Sequence, residues 1–277
     1  MQINPEIIRN LRERTGAGIM DCKNSLIETN GDLEAAIIYL REKGLADAVK
    51  KSNRVASEGL IGINIDIDQK RAAIMEVNCE TDFVSRNSEF KKLVDELTKK
   101  SLGESNIVNN SRDLINLSVI KLKEKIAIRR YFILEDGDFY GAYIHTGGSV
   151  GALVEFRGLF SEFNDNLAKN IAMQVVALSP SYLSRSNISS KTIETERNIL
   201  KNQIEQQNKP IDMIERIING RMEKYYSESC LLEQKFIRDP NITVGDMIRK
   251  AGLEISKFIR FKVGEEMKNI NLLVNDY

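Results

Sequence analysis

Apolar residues change their spacing along this chain, and the changes predict where helix gives way to strand. Within residues 5–43, three sets fall three or four apart, as the buried stripe of a helix requires: Ile7, Ile8 and Leu11; Cys22, Leu26 and Ile27; Leu33, Ala36, Ile37 and Leu40. Pro5 suits a first helical turn, Thr15-Gly16-Ala17-Gly18 reverses the chain, and Asn30-Gly31 tolerates positive φ and stops the second helix. Asp32 caps the third helix, which Gly44 is expected to close, and Lys50-Lys51-Ser52-Asn53-Arg54 reads as a polar linker. From Gly59 the period becomes two. Ile61, Ile63, Ile65 and Ile67 alternate with Gly62, Asn64, Asp66 and Asp68, and residues 71–77 form a second strand. Phe90, Leu93, Val94 and Leu97 then restore the helical period.

A second β-rich stretch follows a loop at 101–111 and a helix bearing Leu114 and Leu117. Residues 126–134, 139–145 and 150–157 read as strands joined by Glu135-Asp136-Gly137-Asp138 and Thr146-Gly147-Gly148-Ser149, both with hairpin chemistry. A helix over 164–178 stops at Pro180. Strand, loop and helix thus recur. Aligning Val77 with Val154 places Phe83 on Phe160, Asn87 on Asn164, Phe90 on Leu167 and Val94 on Ile171, a weak sign of two similar halves. Residues 189–207 and 211–226 read as two helices around Lys209-Pro210, the first too polar to be buried, so that a projecting hairpin is expected. Thr243 and Asp246 start a helix that Gly252 ends, and Ile255, Ile259, Phe261 and Val263 alternate as a last strand. Residues 265–277 are a short helix or tail.

These elements describe an α+β fold in parts: a helical bundle at 1–50, a core subdomain at 55–125, a second at 126–180 to which 231–264 return, and an inserted helical hairpin at 185–230. The 40 basic and 40 acidic residues cancel, so total charge announces neither nucleic acid nor membrane surface. Three scattered cysteines, Cys22, Cys79 and Cys230, make no CxxC pair and fit a reducing compartment. Neither a leader pattern nor a run of about 18 apolar residues is found, which points to a soluble intracellular protein.

Chemistry is scarce. The sole histidine, His145, ends a strand, and GxSxG, Walker-type and GxGxxG patterns and metal-ligand spacings are missing. Glu76, Asn78 and Glu80 are alternate residues of one strand, which reads as a solvated face. Arg129-Arg130-Tyr131-Phe132 mixes basic and aromatic residues as an RNA-stacking strand does, but has no companion, and aromatic content is 6%. The stretch at 76–85, Glu-Val-Asn-Cys-Glu-Thr-Asp-Phe-Val-Ser, sits between strand and helix, with residues 81–84 as a short connection. Phe83 there is either plugged into the core or presented to a partner, and burial is the commoner fate of an apolar loop residue.

Leu11 to Lys23 (LRERTGAGIMDCK), Asn30-Gly31-Asp32 and Glu76 to Val84 (EVNCETDFV) closely resemble the elongation factor Ts family of bacteria, in order and at that family's spacing. Ile128-Arg129-Arg130, Tyr143 to His145 with Gly151, Gly220-Arg221-Met222, Thr243-Val244-Gly245 and residues 258–261 with Val263-Gly264 extend the resemblance over nearly the whole chain. It implies a cytoplasmic guanine nucleotide exchange factor for the GTPase elongation factor Tu, with a ubiquitin-associated-like bundle, a two-part core with antiparallel sheets and a helical dimerisation module. It implies no catalytic residues, no cofactor or metal, and no nucleic acid or membrane partner. Homodimer formation through the hairpin stays open. Thr81, Asp82, Phe83 and Val84 match the motif that enters the GTPase domain and dislodges its Mg2+. His145 matches a contact to another domain, Arg12 and Met20 match contacts to the GTPase domain, and Leu122 matches an apolar contact. The family often carries a basic residue shortly after the histidine, where this chain has Gly148-Ser149. With the resemblance, the presented reading of Phe83 displaces the buried one.

Overall fold

The computed structural model describes residues 3–68, 70–205 and 211–266. Its first three helices, α1 (Pro5–Thr15), α2 (Ile19–Glu28) and α3 (Leu33–Lys51), close over Leu11, Ala17, Cys22, Leu26, Ala36 and Leu40. Asn4 caps α1, and Asp32 caps α3 by accepting from the Glu34 and Ala35 amides. Gly44 does not end α3, as its composition suggests, but lies inside it. A β-carbon there would stand 2.6 Å from Ile120 Cδ1 and 3.2 Å from the Asn116 carbonyl, so the missing side chain admits helix α7 (Arg112–Leu122), which follows the short α6 (Ile107–Asn110), against α3. Ile120 thereby joins the bundle's core, and the helix runs on through Lys50 and Lys51. The bundle is sealed onto the rest of the molecule by this contact.

Among the described residues, β1 (Glu58–Asp66), β2 (Arg71–Cys79) and β3 (Ala127–Leu134) form one antiparallel sheet in that order. A second contains β4 (Phe139–Ile144), β5 (Val150–Arg157) and β8 (Glu254–Lys262). Residues 135–138 therefore do not make the hairpin their turn chemistry suggests. They carry the chain from one sheet to the other, and β3 belongs with β2, on the far side of residue 126 from where a division of the core by sequence would put it. A turn-forming tetrapeptide specifies a reversal, not the partner of the strand it feeds. The crossing is held by the Tyr140 hydroxyl, which donates to the Lys70 carbonyl at 2.6 Å and accepts from the Gly137 amide at 3.2 Å.

The sheets pack face to face over Ile61, Ile74, Leu134, Leu153, Ile259 and Phe261. Their outer faces carry helices. α5 (Ser88–Ser101) lays Phe90, Leu93, Val94 and Leu97 on Met75, Val77 and Cys79, while α8 (Glu162–Leu178) lays Leu167, Ala168, Ile171 and Val175 on Val154 and Phe156. β2 and β5 are central strands covered on both faces, which explains why β2 is buried from Ala72 to Cys79 without alternation. The repeat suggested by sequence corresponds to this order of elements: Val77 and Val154 occupy helix-facing sites on the two central strands, and each strand leads into a helix on its own sheet. α8 rests tightly on β4, where a Gly141 β-carbon would lie 2.4 Å from the Ala168 carbonyl oxygen. Gly141→Ala is expected to lower the stability measured by urea unfolding by about 1–3 kcal/mol, because backbone yields less readily than a side chain. An unchanged midpoint would mean that α8 can slide away.

α9 (Ser190–Glu205) and α10 (Ile211–Ser229) form the hairpin, with Leu200, Ile204, Ile218 and Met222 buried between them; its Lys209-Pro210 turn lies outside the described residues. Arg185 braces its base by ion pairs to Glu223 (2.7 Å) and Glu233 (2.6 Å) and by stacking over Tyr226. A short pair, β6 (Lys235–Phe236) and β7 (Asp239–Thr243), was not foreseen from sequence and precedes α11 (Val244–Lys250), capped by Thr243. The segment read as a short helix or tail lies, from residue 267 on, outside the described residues. No helix among the described residues is long and apolar enough to cross a membrane.

Candidate functional site

Residues 81–84 are not a simple connection. Thr81 is extended (φ −126°, ψ 157°), and its hydroxyl accepts from the Val84 amide, so that Asp82–Arg86 winds into a short helix, α4. Helical geometry then separates neighbours that a loop would leave ambiguous. Val84 and Ser85 turn inward, Val84 joining the cluster of Leu60, Val77 and Phe90, while Phe83 points out and is 82% exposed. The burial that loop statistics favour for Phe83 is thus wrong here, because one turn of helix can bury only one side and Val84 takes it. Asp82 pairs with Arg86 at 3.1 Å, and Ser85 donates to the Asp82 carbonyl.

The strand leading into α4 is anchored by charge. Glu76 is fully buried rather than solvated. It accepts from Arg129 (3.0 Å), Arg130 (2.6 Å), the Gly264 amide (2.9 Å) and Asn78 (3.3 Å). Its side of β2 faces the second sheet, so water is replaced by guanidinium groups. Arg130 also stacks on the Phe261 ring at 4.3 Å and donates to the Lys262 carbonyl, while Arg129 donates to that of Glu265. The two arginines that hinted at a nucleic-acid platform are therefore spent inside the fold. Glu80, half-buried, accepts from the Lys125 amide and from Arg54.

One residue that contacts the candidate site escaped sequence reasoning. Glu124, just past the α7 C-cap Lys123 (φ 61°), turns its carboxylate onto the entry to α4. It accepts from the Glu80 amide at 2.9 Å, the Thr81 amide at 3.0 Å and the Thr81 hydroxyl. Nothing in the local pattern around residue 124 marks it.

His145 is exposed on the turn after β4, its Nδ1 3.2 Å from the Tyr143 hydroxyl. The turn is pinned to the β1 edge, where the Ile61 amide donates to the Gly148 carbonyl at 2.8 Å. Residues 147–149 form one side of a groove of about 690 Å³, and Asp82, Ser85 and Arg86 line it as well, so the groove joins the Phe83 helix to the histidine turn. Arg12 and Leu122 line a second cleft of about 570 Å³ together with Asn87, the residue that ends α4. Met20, 63% exposed, lies in the first turn of α2 beside Asp21, which pairs with Lys123 just past the end of α7. Burial opposes ionisation of the adjacent Asp21, but hydrogen bonds from Lys123 and Lys43 outweigh it and hold the carboxyl below its usual range. The structure thus brings Arg12, Met20, Leu122 and residues 81–84 around one end of α7, with His145 across the groove.

The cysteines are buried. Desolvation pushes the Cys79 thiol up to about 12 and Cys230 to about 11, and raises Cys22 as well. Native protein at pH 8 is accordingly expected to react with a water-soluble aromatic disulfide at least about a hundredfold more slowly than unfolded protein, since thiolate fraction and access both fall. Rapid labelling of the native state would contradict this. Among the described residues, no group of three or more His, Cys, Asp or Glu is placed to hold a metal ion.

A family model described as Elongation factor TS matches residues 80–265. A protein of Halothermothrix orenii (strain H 168 / OCM 544 / DSM 9562) named Elongation factor Ts is 44% identical over 279 aligned residues, covering 96% of this chain and 93% of its own length.

Proposed function

The chain belongs to the elongation factor Ts family, and from that membership we propose that it drives GDP from elongation factor Tu by setting Phe83 beside the partner's nucleotide site. The family's role is nucleotide exchange on elongation factor Tu rather than catalysis by residues of its own. The observation that carries the finer reading is the outward Phe83 on a helix braced from both sides, by Val84 in the core and by Glu124 at the entry. An exposed phenyl ring on a braced element loses little entropy on docking, and its full burial contributes roughly 1.5–3 kcal/mol. Mg2+ demands near-ideal octahedral geometry, so a small displacement of its surroundings suffices to release it. Asp82 supplies charge and an acceptor beside the ring. His145 contacts a second domain across the groove, and Arg12, Met20 and Leu122 hold the GTPase domain.

Exchange then follows from linkage. A factor that weakens nucleotide binding is itself weakened by nucleotide to the same degree, so it stays on the empty partner until GTP binds. The working place is the bacterial cytoplasm, where the partner acts. The experiment is release of fluorescent GDP from elongation factor Tu with and without this protein. Acceleration that saturates with factor concentration is expected, and an unchanged rate would sink the proposal.

A further inference from the structure

The turn at 122–125 does more than connect α7 to β3. Every residue in it is engaged with a neighbouring segment. Leu122 lines the cleft with Arg12. Lys123 Nζ lies 2.6 Å from Asp21 Oδ2, next to Met20 on α2. Glu124 takes the Glu80 and Thr81 amides and the Thr81 hydroxyl, and Lys125 gives its amide to Glu80 at 2.6 Å and its ammonium to the Ser52 and Arg54 carbonyls. One turn therefore ties the bundle's exposed helix and the Phe83 helix to a single backbone.

We propose that Glu124 is a positioning residue that fixes the start of α4, and with it the direction of the Phe83 ring relative to Met20. The inference rests on the exchange reading above and adds to it a residue that touches no partner atom. α4 spans five residues and has too few internal hydrogen bonds to hold its own direction. Two of its entry amides would face solvent without Glu124, and a carboxylate accepting backbone N–H groups is among the stronger neutral-to-charged bonds. Thr81 needs that carboxylate for a second reason. Its hydroxyl donates to Glu124 while accepting from Val84, so the acid also orients the cap of the helix.

The test is Glu124→Ala in the full chain. Hydrogen exchange on the free protein should show the Glu80 and Thr81 amides losing about tenfold protection, the weight of one charge-assisted bond, while the centre of β2 keeps its own. At saturating factor, GDP release from elongation factor Tu should slow by about tenfold for the same reason. In a Phe83→Ala background the substitution should change release by less than about twofold, because two residues acting through one contact are not additive. Glu124→Gln should fall between alanine and wild type: its carbonyl oxygen still accepts both amides, but the charge is gone and its NH2 meets the Thr81 hydroxyl as a donor instead of accepting from it. If the alanine variant melts early, Glu124→Asp, which withdraws the charge by one methylene, is read in its place.

A release rate unchanged by Glu124→Ala, or a loss that persists undiminished in the Phe83→Ala background, overturns the positioning role. If Phe83→Ala alone leaves release unchanged, the exchange reading fails instead, so the two failures are distinguishable.

Discussion

Replacing Phe83 by alanine is expected to slow GDP release from elongation factor Tu by about tenfold or more, the cost of an aromatic hot spot. The same variant should melt within about 2 °C of wild type, since an exposed side chain away from caps and cores shifts stability by roughly 0.5 kcal/mol or less. The negligible stability loss follows from 82% exposure, and the functional loss from the proposed docking of the ring. A buried phenylalanine at this site would cost about 3–5 kcal/mol on truncation and pull activity down by unfolding. Stopped-flow release with fluorescent GDP and thermal melting of one preparation separate the two. An unchanged release rate removes the wedge. Val84→Ala makes the useful contrast: it empties a site in the core cluster beside Phe90 and should lower stability as well as loosen the helix that carries the ring.

Glu76→Ala is expected to cost about 3–5 kcal/mol, because it strips the counter-charge from guanidinium groups held away from water. Glu76 has no side-chain exposure, and Arg130 has 8%. Its carboxylate meets groups from β2, β3 and the chain just after β8, so the loss falls on the seam between the two sheets. Glu76→Gln keeps acceptor and shape but not charge, and should fall between alanine and wild type. Urea unfolding gives the ranking. A cost under about 1 kcal/mol for alanine would mean that water enters the seam and that the arginines are solvated there. The functional consequence is geometric. The groove between the Phe83 helix and the His145 turn is lined by β1 of one sheet and by Ile144 at the end of β4 of the other, so it is expected to change width when that seam loosens.

Much of the architecture was legible beforehand. Ile67 aside, which lies past the end of β1 and is exposed, the helical stripes of the bundle, the strand at β1, the Phe90–Leu97 face and the Thr243 cap all appear where the pattern of residues puts them. So does the motif at 76–85, whose length made the family recognisable. Misreadings share a cause. Gly44 looked like a helix stop because the approach of Ile120 is invisible from position 44, and residues 135–138 looked like a hairpin because Tyr140 and Lys70 are far apart in sequence. Glu76 looked solvated because alternation along a strand says which residues share a face, not what covers that face.

By itself, then, the sequence determined what depends on neighbours within a turn or a strand: the elements, most of their caps, the α+β class and the identity of the motif. The tertiary structure alone decided which faces are covered and which side chains are left outside. It buried Glu76 between two sheets, turned Phe83 outward by spending the inward side of α4 on Val84, and set Glu124 on Thr81. The physical reason is range. Those outcomes rest on hydrogen bonds spanning 43 residues, from Thr81 to Glu124, and 188 residues, from Glu76 to Gly264, and no local propensity encodes a partner at such distances.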